Sequence, residues 1–390
     1  MIYMFKYFFI SIVRVLLTVF YIFPINKKKI FFLTLKYGRF FCNPKYILID
    51  LYEKVPELKY FWGSDLKSPE LSKYSNVKVV KRRSLFLVYH ILTAKVVIHN
   101  THLRSFLPFR NEQIMINTWH GGGAYKRVGS EVELRLLESE GFWRKKQKRR
   151  SFLIQKTSYF ISSSKVFSDA IHEDLNIPYN KFLPIGMPRN DLFFRNNKDF
   201  ISLLKKKMNI SLDIGIILYA PTYRGIHSFL ESQEIIKLDI DKVRNTLKRK
   251  FKKDFLFLFK GHPSFQRVNL YCDETIDVSS YVDMQELLLI ADVLITDYSS
   301  SIWDFSLTKK PGFLFTPDLD QYKEERRFYT PIEEWPYPFA RTNEELCDNI
   351  MNFDQSKQEA KIKKHHEDLG SYEQGTATQK VTELLQEIFK

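Results

Sequence analysis

The stretch V-L-I-T-D-Y-S-S-S-I-W-D-F, Val293–Phe305, restricts the fold more than any other. Its first half is a short apolar, β-branched run, the pattern of a buried strand. Its second half opens on consecutive hydroxyls that can cap a helix. A strand turning directly into a helix belongs to an α/β unit. The turn also leaves backbone N–H groups unpaired beside a partial positive charge, which suits an anion. Ser299, Ser300 and Ser301 add donors. An ordinary capped helix is the plainer alternative, and this stretch alone leaves both open.

The same alternation runs through the chain. Strands are predicted at Ile30–Leu35, Val77–Val80, Val96–His99, Ile114–Thr118, Tyr159–Ser163 and Leu183–Ile185, with helices at Pro44–Lys54 and Leu85–Leu92. Asp191–Asp213 is a polar, Lys/Asn-rich candidate linker, after which the pattern restarts. Strands follow at Ile214–Ala220, Phe255–Lys260, Val293–Thr296 and Gly312–Phe315. Helices are expected at Ile240–Phe251 and Met284–Ile290, and near Asn343–Met351 and Thr376–Phe389. Strands separated by helices imply parallel β-α-β units. A chain of 390 residues exceeds one typical core. The expectation is therefore an α/β protein of two doubly wound, Rossmann-type domains, 26–195 and 196–390, facing a cleft with ligands at the strand C-termini.

Lys+Arg 60 against Asp+Glu 45 gives +15, which points to an anionic partner. No aromatic-basic interleaving, helix-turn-helix signature or Walker loop is present, so nucleic acid is not the expected one. Cys42, Cys272 and Cys347 are widely spaced and form no C-x-x-C pair, which argues against a disulfide framework or zinc site. No metal-ligand set and no cofactor motif is identified, and the sequence leaves a metal requirement open. Residues 1–25 are dense in Phe, Tyr, Ile, Leu and Val, interrupted by Lys6 and Arg14 and followed by Lys27, Lys28 and Lys29. A membrane span and a buried core helix compete here with a helix lying in the membrane interface, and the last accounts for both the charges and the aromatics. The lysines then place the body on the cytoplasmic face of the membrane, against an anionic surface.

Three further motifs end strands. In N-T-W-H-G-G-G-A-Y-K-R-V-G, Asn117–Gly129, His120 stands where α/β proteins place reactive groups. Gly121, Gly122 and Gly123 permit close backbone approach, and Lys126 can reach an anion; a glycine turn that happens to follow a histidine is the bland alternative. In Y-A-P-T-Y-R-G, Tyr219–Gly225, Thr222 and Arg224 are a donor and a fixed cation suited to phosphate. In F-K-G-H-P-S-F, Phe259–Phe265, Lys260 and His262 straddle Gly261. Between them, Asp283 sits where a helix cap belongs, and Glu286 one turn later could accept from a ribose. The run Arg144–Arg150 is most simply a solvated basic face.

W-H-G with a downstream Lys, A-P-T-Y-R, G-M-P-R-N-D (Gly186–Asp191), K-G-H-P and D-V-L-I-T-D-Y-S-S occur in this order, followed by Y-E-Q-G-T-A-T (Tyr372–Thr378). Together they resemble the CDP-glycerol glycerophosphotransferase family, the teichoic acid primases and polymerases. The resemblance runs from about Asn26 to Thr378 and implies a GT-B-like fold with the nucleotide mainly in the C-terminal domain. It implies transfer of an alditol phosphate, glycerol phosphate first among them, from a CDP-alditol to a hydroxyl of a lipid-linked or polymeric acceptor, with release of CMP. By motif position it implies His120 as the base, and His262, Ser299 and Ser300 as holders of the diphosphate; Asp297, in the same motif, joins the substrate-binding set. The G-G-G-A-Y loop departs from the shorter insert of many members. The chain also lacks the long N-terminal extension of the large polymerases, which favours a primase-like or capsule-type enzyme. The rival expectations are a GT-B glycosyltransferase using a nucleotide sugar, and a basic, non-catalytic protein that binds membrane or nucleic acid.

Overall fold

The computed structural model describes residues 2–100, 103–127, 156–222, 238–261 and 275–390. The chain divides into two compact units. Unit 1 comprises Met1–His120, Val128–Asp191 and Tyr372–Lys390, and unit 2 comprises Gly121–Arg127 and Leu192–Ser371.

Unit 1 is built on seven strands: β1 Asn26–Leu33, β2 Lys59–Gly63, β3 Val77–Val80, β4 Ala94–His99, β5 Ile114–Asn117, β6 Tyr159–Ser162 and β7 Phe182–Pro184. All pair in parallel, in the order β3-β2-β1-β4-β5-β6-β7. Its central strands are apolar on both faces: Ile30, Phe31, Phe32, Val96, Val97 and Ile98 are fully buried. That is what a parallel sheet covered on both sides by crossover helices requires. The helix Leu85–Leu92 is one such cover, capped by Ser84, whose hydroxyl accepts the Leu87 N–H.

Unit 2 repeats the plan with β8 Gly215–Ala220, β9 Phe255–Phe259, β10 Thr275–Asp277, β11 Val293–Thr296, β12 Gly312–Phe315 and β13 Phe339–Ala340. Their order is β10-β9-β8-β11-β12-β13, again all parallel. In both sheets the strand order reverses beside the first strand, at β1/β4 and at β8/β11. In open α/β sheets such a switch point leaves a crevice at the strand C-termini.

Several elements differ from expectation. β2 was not predicted, because K-Y-F-W-G is short and begins only five residues after the end of the helix Cys42–Lys54. The edge strands β10 and β13 run for three and two residues, too short for any periodicity. The helix Gln355–Asp368 was also missed. Its buried positions are Gln358, Ile362 and His365, so the helical spacing is present but held largely by polar side chains. The polar 191–213 segment begins inside a 3-10 turn, Pro188–Phe194, and contains the helix Lys198–Lys207, and Asp191 itself is buried. Among the described residues no helix is long and apolar enough to cross a membrane.

Candidate active site

The switch point of the second sheet gathers two of the sequence motifs. β8 and β11 lie side by side in register, Tyr219 against Ile295 and Ala220 against Thr296. The turns that leave them are therefore adjacent, and Asp297 ties them together. Its carboxylate accepts the Thr222 N–H at 2.9 Å on each oxygen and the Tyr298 N–H at 2.6 Å. The Thr296 hydroxyl adds a bond to the Ala220 carbonyl at 2.7 Å. Asp297 is buried, so the structure gives it the part of a fastener for the Pro221–Thr222 turn.

The serine turn follows. The helix runs only from Ser301 to Ser306, and Ser300 at its cap makes no side-chain cap bond. Ser299 supplies the local bonds instead: its hydroxyl accepts the Ser301 N–H at 3.3 Å and the Ser301 hydroxyl at 3.0 Å. A helix of six residues sums few peptide dipoles, so the anion-binding capacity of the turn rests on N–H and hydroxyl donors more than on a macrodipole. Ser299 and Ser300 are half-buried, whereas Ser301 is buried. The helix is anchored through Asp304, which accepts from Gln285 Nε2 at 2.8 Å.

The glycine loop has a packing reason that the sequence did not disclose. Gly121–Arg127 belongs to unit 2. Gly122 lies flat on the indole of Trp303, where any Cβ would overlap the ring, and Gly123 adopts φ +64°. Beyond them Tyr125 is buried and its hydroxyl meets His365 Nε2 at 3.0 Å. Lys126 pairs with Phe328 in an isolated antiparallel bridge, flanked by Arg127 N–H to Arg327 O at 3.1 Å and Tyr329 N–H to Tyr125 O at 2.7 Å.

His120 is exposed and lies three residues beyond β5. Its ring stacks on Trp119, centroids 4.9 Å apart. Trp119 has φ 51°, a left-handed conformation that is strained for a bulky residue. Three bonds hold it there. The Trp119 N–H donates to Asn117 Oδ1 at 3.0 Å, and Asn43 Nδ2 donates to Thr118 O at 2.8 Å and Trp119 O at 3.3 Å. Asn43 is fully buried, and its own Oδ1 accepts the Arg189 N–H at 3.1 Å. Sequence reading missed Asn43 altogether. It also left the G-M-P-R-N-D motif without a role, and here that motif is a hub of unit 1. Glu373 accepts from the Met187 N–H at 3.1 Å and Asn190 Nδ2 at 3.0 Å, and Asp191 accepts the N–H groups of Ala377 and Thr378.

Two sequence candidates look different in place. The Lys260 ammonium donates to the carbonyls of Val278 at 3.2 Å, Ser279 at 2.9 Å and Tyr281, so its protons brace the β9 turn. Glu286 is buried in the first turn of Met284–Ile290, where it accepts from the Tyr281 hydroxyl, and Asp283 caps that helix as expected. Arg224, His262 and the basic run Arg144–Arg150 lie outside the described residues. Among the described residues no His, Cys, Asp and Glu group is arranged to hold a metal ion.

Comparison with known proteins gives a consistent answer. Residues 15–387 match the family described as CDP-glycerol:poly(glycerophosphate) glycerophosphotransferase. The chain is 29% identical over 371 residues to the teichoic acid poly(glycerol phosphate) polymerase of Bacillus spizizenii, covering 93% of each. It is 30% identical over 379 residues to the teichoic acid glycerol-phosphate transferase of Staphylococcus aureus, covering 92% of this chain and 93% of that protein. The teichoic acid poly(glycerol phosphate) polymerase of Bacillus subtilis is longer: the match covers 84% of this chain and 44% of that one. Among solved structures, a variant of the wall teichoic acid polymerase TagF soaked with CDPG is similar with TM-score 0.79 and 25% identity, over 94% of this chain and 90% of that one.

Proposed function

Because the chain belongs to the CDP-glycerol:poly(glycerophosphate) glycerophosphotransferase family, we propose that it transfers glycerol phosphate from CDP-glycerol to a hydroxyl of a lipid-linked or polymeric acceptor in the synthesis of a teichoic acid or related cell-surface polymer. The observation that carries the reading is the β8/β11 switch point, where the Thr222 turn and the serine turn are fastened side by side through Asp297.

In the proposed reaction an acceptor oxygen attacks the β-phosphorus of CDP-glycerol. A new P–O bond forms, the bond from that phosphorus to the oxygen it shares with the α-phosphate breaks, and CMP leaves with the electron pair. His120 takes the acceptor proton. Its support is the exposed ring at the end of β5 and the strained, clamped Trp119 beside it. Thr222, Ser299 and Ser300, with the backbone N–H groups of the serine turn, meet the diphosphate charge, and His262 and Arg224 join them by motif position. Gly121, Gly122 and Lys126 shape the loop beside that turn, Ser301 orders the turn from within, and Lys260, Glu286 and Asp297 position the elements that carry it. The GT-B arrangement of the two units, and attachment at the cytoplasmic face of the membrane through the N-terminal segment, belong to this same reading.

The test is CMP release from CDP-glycerol set against a panel of nucleotide sugars, with His120→Ala alongside. Turnover confined to the CDP-alditol is expected. The variant is expected to retain CDP-glycerol binding while losing turnover about 10²–10⁴-fold, the usual scale for a general base. Turnover of a nucleotide sugar instead, or near-normal turnover in His120→Ala, would overturn the reaction or the base respectively.

A further inference from the structure

We propose that a cavity at the N-terminal edge of the first sheet is a headgroup site for an anionic phospholipid, working together with the exposed apolar face of the N-terminal segment. The proposal rests on the membrane-associated reading above and gives it a specific lipid contact.

The N-terminal segment is apolar on two faces, and only one of them is docked. The helix Ile2–Leu16 passes into a 3-10 turn at Leu17–Ile22. Leu17 and Phe20 pack against the core cluster of unit 1, and the Phe23 ring meets Tyr89 edge-on at 5.1 Å. Polar bonds fasten the same side. The Tyr21 hydroxyl donates to Pro108 O at 2.5 Å, and Arg110 Nη2 donates to Phe20 O at 2.8 Å and Phe23 O at 2.7 Å. The other side carries Val15, Leu16, Val19 and Ile22, each at least 60% exposed. A segment that docks one apolar face on the protein and leaves Val15, Leu16, Val19 and Ile22 bare needs an apolar medium for that second face. An interfacial position in a bilayer supplies one.

Beside this segment lies a cavity of about 750 Å³ whose lining includes Tyr21, Lys27, Lys95, Arg110, Glu112 and Lys156. The topology explains why its cations meet. β1 and β4 begin side by side, Asn26 against Ala94, which places Lys27 and Lys95 on neighbouring strand starts. Arg110 and Glu112 belong to the turn entering β5, and Lys156 precedes β6. The rim thus carries four cations and one carboxylate. Lys95 Nζ donates to the Glu112 carbonyl at 2.9 Å, and Lys156 Nζ donates to Asn111 Oδ1 at 2.6 Å. Among the described residues none of the four cations is ion-paired with a carboxylate, and the buried Arg110 Nε has no hydrogen-bond partner. A phosphodiester bearing one negative charge suits such a rim, and an adjacent choline or ethanolamine cation would be repelled by it. An acyl chain leaving that headgroup would meet the exposed Val19 and Ile22 side of the same segment. The ligand class is therefore an anionic phospholipid.

The experiment uses the full chain and vesicles of phosphatidylcholine with or without phosphatidylglycerol, together with soluble dihexanoyl phosphatidylglycerol. Wild type is expected to sediment with the anionic vesicles and to bind the short-chain lipid at one site. Lys95→Ala with Lys156→Ala should lower partitioning about tenfold or more and abolish the one-site binding. Lys67→Ala with Lys73→Ala, exposed elsewhere on unit 1, should change neither. Inorganic phosphate at equal concentration should not compete. Anionic-vesicle binding lost equally from both lysine pairs, or an absence of one-site binding, would overturn the headgroup site while leaving membrane attachment standing. Failure of wild type to bind any vesicle would overturn the attachment itself.

Discussion

At Trp119 the backbone is held at φ 51° by the neighbouring Asn117 and by the distant Asn43, and the adjacent imidazole is the proposed base. Asn43 is the distant partner, and its neighbour Cys42 is itself at φ 61°. Asn43→Ala would release Thr118 and Trp119 from their clamp and let His120 wander. It is expected to lower kcat about tenfold or more with CDP-glycerol affinity little changed, since small misplacements of a reacting group cost that much. Calorimetry beside CMP-release kinetics reads the two separately; a parallel loss of both would make Asn43 a merely structural residue. The serine turn gives the opposite signature. Ser299→Ala with Ser300→Ala should weaken CDP-glycerol binding roughly tenfold or more, because hydrogen bonds to a charged oxygen are worth about 1.5–3 kcal/mol each. Gly122→Ala drives a methyl into Trp303 and should cost about 1–3 kcal/mol of stability, measured by urea unfolding.

Among the elements, the helix Gln355–Asp368 sets a pH limit on unit 2. His365 Nδ1 donates to the Glu334 carbonyl at 3.0 Å, which leaves its Nε2 to accept from the Tyr125 hydroxyl. His366 meets the hydroxyls of Ser306 at 2.7 Å and Ser371 at 3.0 Å. Burial lowers both rings from 6.5 to about 4. The folded chain therefore keeps them neutral where the unfolded chain takes up protons. Stability is full well above pH 6.5 and falls as the pH drops towards 4, by about 2 kcal/mol per ring at pH 5. Urea midpoints at pH 7.5 and 5 measure the slope, which should flatten in His365→Gln with His366→Gln. At the other end of the chain, the N-terminal segment is only partly separable. Deleting residues 1–13 should leave a folded protein, whereas deletion through Phe23 bares the core beneath Leu17 and Phe20 and strips Arg110 of its two carbonyl partners. Thermal unfolding of the two truncations compares them directly.

For the whole molecule, the chain crosses between its two units after His120, Arg127, Asp191 and Ser371. Neither unit is one continuous piece. The last helix, Ala377–Phe389, completes unit 1 by packing on the helix Cys42–Lys54, with Thr382 Oγ1 donating to Asp50 at 2.6 Å. A fragment of residues 1–191 lacks this helix and Glu373, so it should remain largely unfolded by circular dichroism. Adding residues 372–390 in trans should restore structure.

The alternation of apolar strand runs with helices, the two parallel sheets and the ordered strand-end motifs were legible in the sequence because they are local. Burial on both faces leaves continuous apolar runs, and turn chemistry stands beside the strand it ends. The serine turn, Asp283 as a cap and His120 past β5 all follow from that rule. Short edge strands and helices whose buried positions hold Gln or His escape it, since their periodicity is carried by too few apolar side chains. Only the tertiary structure decided what the described site residues touch. Asp297 accepts the N–H groups of Thr222 and Tyr298, Lys260 donates to the carbonyls of Val278 and Ser279, and Gly122 has an indole where a Cβ would sit. Asn43, seventy-five residues before the Thr118 carbonyl it holds, had no local signal at all. Contacts between residues so distant in the chain depend on the register and order of strands, which hydrophobic patterning leaves open.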